Sequence, residues 1–180
     1  MASNGDTGLL MPADMPPIPG LLMPYAFYWV LRQPAPLAGM PYPSLRTPWR
    51  AIAAAGFTHV VCLNEASPLY DPTPLHILHA VELEDLVFGD PPQAPEREAG
   101  RIRDAVTVTL GKLKAGEGVV VHCYGGRGRS GTVLGGILRG LGYAARDICD
   151  YLDRLHKARG KTGWPEAAWQ AQMVHEDSPC

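Results

Sequence analysis

His122 and Cys123 stand before a glycine-rich run, and Arg129 and Ser130 close it, within the stretch Val119 to Gly131 that reads VVVHCYGGRGRSG. A cysteine at the mouth of a loop rich in inward-facing N–H groups is held in a field that favours its thiolate. A thiolate is a nucleophile without help from a neighbouring base. Arg129, six residues after Cys123, can set two donors on the oxygens of a phosphoryl group. Its hold tightens as charge spreads in a transition state. The chemistry implied is attack of sulfur on phosphorus, with Tyr124, Gly125, Gly126, Arg127, Gly128 and Arg129 forming the anion cradle.

The flanking residues have to build that cradle. Val119 to Val121 are β-branched and read as a strand, and TVLGGILRGLGY after Gly131 has helical apolar spacing. A strand, a tight loop and a helix N-terminus together make an anion site, because the helix end adds partial positive charge. The loop glycines permit backbone angles that side chains forbid.

His122, Cys123, Arg129 and Ser130 match the His-Cys-x5-Arg-Ser signature. In this the chain resembles the cysteine-dependent protein tyrosine phosphatases, dual-specificity branch, and within it the cyclin-dependent-kinase-associated phosphatase-like proteins. The resemblance implies hydrolysis of phosphate monoesters through a cysteinyl-phosphate intermediate, on tyrosine or on tyrosine, serine and threonine. It implies that His122 fixes the loop and that the Ser130 hydroxyl helps the thiolate leave, although Ser130 also suits a helix N-cap. It further implies an aspartate general acid on a loop before the cysteine strand. By the family spacing Asp85 is that acid, and Asp90 is a turn or helix-entry residue. Gln170 matches a glutamine that relatives carry in a late helix, where it could position water or simply lie on the surface. Neither a cofactor nor a metal is called for.

Arg127 adds charge inside the loop. It resembles the basic residue of phosphoinositide phosphatases, so a phosphoinositide or other non-protein phosphate is the alternative substrate, and a side chain solvated at the loop rim is the plainer reading. A weak phosphate-binding module is the other alternative. Trp164-Pro165-Glu166 looks like a classical acid loop but follows the nucleophile, and it reads as a helix start with proline at the first position. Cys62 ends a strand expected beside the cradle, as a core thiol or as a disulfide partner for Cys123.

The rest of the chain supplies the elements. Strands are expected at Tyr25–Leu31, Thr58–Leu63 and Leu75–Leu83. Leu37–Pro43 reads either as a short strand and turn or as a loop. Helices are expected at Trp49–Ala55, Glu96–Lys114, Ala144–Ala158 and Pro165–Val174, and Asp85–Pro95 as a long proline-rich loop. Alternation of the two predicts an α/β fold, a single domain with a central mostly parallel sheet flanked by helices. The resemblance makes this the phosphatase three-layer architecture. Residues 1–24 are read as a flexible N-terminal tail and 25–180 as the phosphatase domain.

At 180 residues with 46% apolar content the chain can bury one good core. A net charge of −2 gives no footprint for nucleic acid. Four cysteines lack metal spacing, and no apolar run is long enough to span a membrane. A cytoplasmic protein acting on a phosphorylated protein or small phosphorylated substrate is expected, and oligomeric state is not readable.

Overall fold

The computed structural model describes residues 7–21, 23 and 25–176. Five strands form one sheet: β1 (Tyr28–Leu31), β2 (Leu37–Met40), β3 (Phe57–Cys62), β4 (His76–Ala80) and β5 (Gly118–His122). Their order is β1-β2-β5-β3-β4, with β1 antiparallel to β2 and every other pairing parallel. The central place goes to β5 because its three valines are apolar on both faces, as a strand covered on both sides must be.

Helices α2 (Pro95–Lys114), α3 (Gly128–Gly140), α4 (Ala145–Ala158) and α5 (Ala168–Glu176) cover one face, where Val119, Val121 and Val61 meet Val133, Ile137 and Leu152. On the other face, helix α1 (Trp49–Ala54) and the N-terminal segment pack with Val60 and Val120 through Ile52 and Ile18, beside Trp29 of β1. The expected three-layer α/β fold is present. None of the described helices is long and apolar enough to cross a membrane.

Several boundaries differ from the sequence reading. Leu37–Met40 is a strand, because its backbone is claimed by β1 on one side and β5 on the other. The last helix begins at Ala168, since the Asp90 carboxylate accepts from the N–H groups of Ala168 and Trp169 and sets the helix start there. Pro165, expected at the first helical position, lies before it.

Residues 7–21, read in the sequence as part of a flexible tail, pack on the domain. Leu9 bridges to Leu31, the Leu10 N–H donates to the Val30 carbonyl, and Ile18 is buried. Tyr143 and Tyr151 donate their hydroxyls to the carbonyls of Thr7 and Leu10. The apolar Leu9, Leu10, Met11 and Ile18 gain more from the sheet edge and core than they lose in chain freedom. Residues 1–6, 22 and 24 of that expectation lie outside the described residues.

Candidate active site

The cradle follows directly from the sheet. His122 ends β5, aligned with Met40 on one side and Cys62 on the other, so the chain leaves the sheet at its carboxyl edge and turns into α3. Open α/β sheets hold their ligands at this edge. Gly126 has φ +69°, and a Cβ there would stand 2.6 Å from backbone atoms of Met40 and Pro41. Only glycine fits both the angle and the space. The loop is tied down from outside: the Tyr42 N–H donates to the Tyr124 carbonyl at 2.9 Å, and the Tyr28 hydroxyl to the Gly126 carbonyl at 2.6 Å. Cys123 is buried at the start of this loop.

His122 supports the loop from the far side of the strand. Its Nε2 lies 2.5 Å from the Tyr70 hydroxyl, and its Nδ1 lies 3.3 Å from the Cys123 carbonyl. Burial holds Tyr70 as a protonated phenol, so it donates to Nε2. Nδ1–H then donates to the Cys123 carbonyl. Tyr42 and Tyr70 meet the ring edge-on at 5.5 and 5.3 Å.

Burial also pushes His122 down to about 4, and burial followed by the Arg159 charge pushes His156 down to about 3. Both are neutral in the folded protein, while the unfolded chain protonates near 6.5. Their contribution to stability is therefore complete above pH 6.5. It is lost as pH falls toward 4, at about 1.4 kcal/mol per pH unit for each group. Urea midpoints should drop between pH 7 and pH 4.5. A His156→Gln protein should show a shallower drop, and equal slopes would mean that His156 is not held neutral.

Arg129 joins the cradle to the loop ahead of α2. Its Nη2 lies 3.3 Å from Asp85 Oδ2, and its Nη1 donates to the Leu83 carbonyl at 3.3 Å. Asp85 also caps a short 3-10 turn, Leu86–Phe88, by accepting from the Val87 N–H. Buried Leu86 anchors that turn, and the Glu84 carboxylate accepts from the Gln93 N–H and draws the loop's far end in. Glu98, buried on α2, accepts from the Glu84 N–H at 2.7 Å and so sets the register of the residue before Asp85. Asp90 spends both oxygens capping α5. Of the two candidate acids, the structure brings Asp85 alone to Arg129.

Three other expectations meet a different geometry. Arg127, expected on phosphate or at a solvated rim, turns its side chain to Glu166 Oε1 at 2.8 Å and to the Gly163 carbonyl at 2.7 Å. Gln170 is buried: its Oε1 accepts from the N–H groups of Glu166 and Ala167, and it braces the 163–166 turn from below. Ser130 is not the N-cap, because the helix begins at Gly128 with Arg127 before it. Ser130 is buried, and its hydroxyl makes no protein hydrogen bond among the described residues.

Cys62 pairs in register with His122 and shares its face, beside Tyr70. Strand alternation puts Cys123 on the opposite face, so the two thiols are not brought together. Trp164-Pro165-Glu166 is a brace. The Trp164 indole N–H donates to the Gly128 carbonyl at 3.2 Å, and Glu166 holds Arg127. Tyr28, Tyr42 and Tyr70 thus position the loop without having stood out in the sequence, and Trp164 and Glu166, read there as a helix start, brace it instead. Each lies 36 to 98 positions from its contact in the loop or its flanks, and no local spacing marks that contact.

The geometry is that of an anion cradle with a thiol at its mouth and a carboxyl on an adjoining loop. A family model described as PTP-SAK, Swiss Army Knife protein, DSP-PTPase phosphatase domain, matches residues 24–164. The fold is similar to Tk-PTP in its active form, at 21% identity and a TM-score of 0.55, covering 77% of this chain and 88% of that one. It is similar to human DUSP28, at 18% identity and a TM-score of 0.57, covering 78% and 88%. Kinase associated phosphatase carrying a serine for its catalytic cysteine matches at 18% identity and a TM-score of 0.51, covering 78% and 83%. The chain belongs to the PTP-SAK family, in the dual-specificity branch of the cysteine-dependent protein tyrosine phosphatases, and is a cysteine-dependent phosphatase that hydrolyses phosphate monoesters.

Proposed function

We propose that the chain dephosphorylates phosphotyrosine-bearing proteins, with Cys123 as nucleophile, Arg129 as phosphate ligand and Asp85 as general acid. The observation that carries the reading is the contact between Arg129 and Asp85, which sets the carboxyl at the edge of the cradle. Cys123 attacks phosphorus as a thiolate, the phosphorus–oxygen bond to the substrate breaks, and a cysteinyl phosphate forms. Asp85 gives its proton to the departing oxygen. Water then attacks the cysteinyl phosphate, with Asp85 accepting its proton and sulfur leaving. The Ser130 hydroxyl, which has a free donor, suits stabilisation of the departing sulfur.

The substrate class rests on what surrounds the cradle. Tyr124 on the loop, and Val87 and Phe88 beside Asp85, are exposed apolar side chains. They suit an aryl phosphate, whose ring can pack on them while a lipid headgroup cannot. The phosphoinositide reading drew on Arg127, whose charge is already matched by Glu166. Its free thiol nucleophile suits a reducing compartment, and we place the enzyme in the cytoplasm.

Equal amounts of enzyme should be given phosphotyrosine, phosphoserine and phosphothreonine peptides and a series of phosphoinositides. Phosphotyrosine peptides should be turned over fastest, by about tenfold or more over any phosphoinositide in kcat/KM. A phosphoinositide that equals or exceeds them overturns the substrate assignment and leaves the phosphatase chemistry standing.

A further inference from the structure

Next to the tyrosine that ties down the cradle lies a buried guanidinium. Arg159 follows α4 directly and is 9% exposed. Its Nε donates to the Tyr25 carbonyl at 2.7 Å and its Nη2 to the Ala26 carbonyl at 3.2 Å. Its Nη1 lies 2.7 Å from His156 Nδ1, and its Cζ sits 3.7 Å over the Tyr28 ring. No carboxylate pairs with it among the described residues. A buried cation without an anion is costly, so some other group must offset it.

The ring beneath Arg159 reaches the cradle. Tyr28 crosses Gly39, whose missing side chain leaves room for the phenol, and donates to the Gly126 carbonyl. Gly126 is the loop residue with the left-handed backbone. Arg159 therefore touches the phosphate loop through one ring. His156 closes the same cluster, edge-on to Tyr28 at 5.3 Å, and its Nδ1 can only accept from the guanidinium.

We propose that Arg159 is a positioning residue for the phosphatase site: it clamps Tyr28 beneath Gly126 and supplies the positive charge that offsets the Cys123 thiolate. This rests on the reading of Cys123 as nucleophile. The charged and titratable groups that face Arg159 are Tyr28 from β1, Cys123 from the loop, and Tyr151 and His156 from α4; Arg127, Asp153 and Lys161 face His156. Burial lowers the guanidinium's hold on its proton, and Tyr28, Cys123 and Tyr151 oppose that in part. What joins the guanidinium to the loop is the Tyr28 ring, stacked under Arg159 and bonded to Gly126 three residues from Cys123.

The test reads alkylation of Cys123 by iodoacetamide against pH, followed on the Cys123 peptide by mass, together with kcat/KM on an aryl phosphate. In Arg159→Gln, which keeps a donor and loses the charge, the alkylation curve should move up by about half a pH unit or more, and kcat/KM should fall about tenfold. Arg159→Lys should restore the curve to the wild-type position. Tyr28→Phe removes one oxygen, and should lower kcat/KM about fivefold with the curve in place. A folded Arg159→Gln protein with an unmoved curve overturns the charge assignment. An unchanged kcat/KM in Tyr28→Phe overturns the clamp, and that variant decides the matter where Arg159→Gln does not fold. If alkylating Cys123 in the wild type leaves hydrolysis intact, the nucleophile reading fails instead, which is a separate result.

Discussion

Cys123→Ser should lose hydrolysis of an aryl phosphate by roughly 10⁴–10⁶-fold, while the protein stays folded and still binds phosphate. The size follows from the division of labour in the cradle. Serine is close in volume to cysteine, so the buried site at the start of the loop remains filled. The ties that shape the loop, from Tyr28, Tyr42 and Trp164, all end on backbone carbonyls of other residues and survive the change. What disappears is the nucleophile. A serine hydroxyl needs a base to remove its proton, and the nearest imidazole, His122, is already committed to Tyr70 and the Cys123 carbonyl. Product burst and steady-state rates, with phosphate or vanadate binding measured alongside, check the expectation. A residual rate within tenfold of wild type would remove Cys123 from the mechanism. A near-zero rate in both proteins would turn the reading toward a phosphate-binding module.

Asp85→Asn should slow hydrolysis of alkyl or simple aryl phosphates by about 10²–10⁴-fold, and that of phosphates with strongly acidic leaving groups far less. A good leaving group departs without a proton, so the rate gap between variant and wild type should widen as leaving-group basicity rises. Asparagine can keep the cap on the Val87 N–H, because its side-chain oxygen still accepts. The loop geometry should hold, and the loss can be assigned to the missing proton. Asp90→Asn gives the contrast. Asp90 caps α5 with both oxygens, so its replacement should cost stability of about 1 kcal/mol or less and leave the leaving-group dependence alone. If instead Asp90→Asn shows the steep dependence and Asp85→Asn the flat one, the acid has been assigned to the wrong carboxyl.

Reach separates the parts of this site that are legible in the sequence from those that are not. Cys123, the glycines, Arg129 and Ser130 occupy eight consecutive positions, so their relation is carried by a single strand–loop–helix turn. The valines of β5 and the apolar spacing of α3 state that turn locally. Asp85 was placed by its offset within a family pattern, and it is brought to Arg129 by the pull of Glu98 on the Glu84 backbone and of Glu84 on Gln93. Neither pull has a local signature.

The sequence by itself determined the run from Cys123 to Ser130, the strand before it and the α/β alternation, because each depends on neighbours within a few residues. Tertiary structure alone decided which charges remain available. Arg127 and Glu166 neutralise each other across 39 positions, Asp90 is used up by a helix 78 residues away, and the N-terminal segment finds a sheet edge where its composition suggested none. A hydrogen bond or ion pair is a matter of a few ångströms in space, and chain separation carries no record of it.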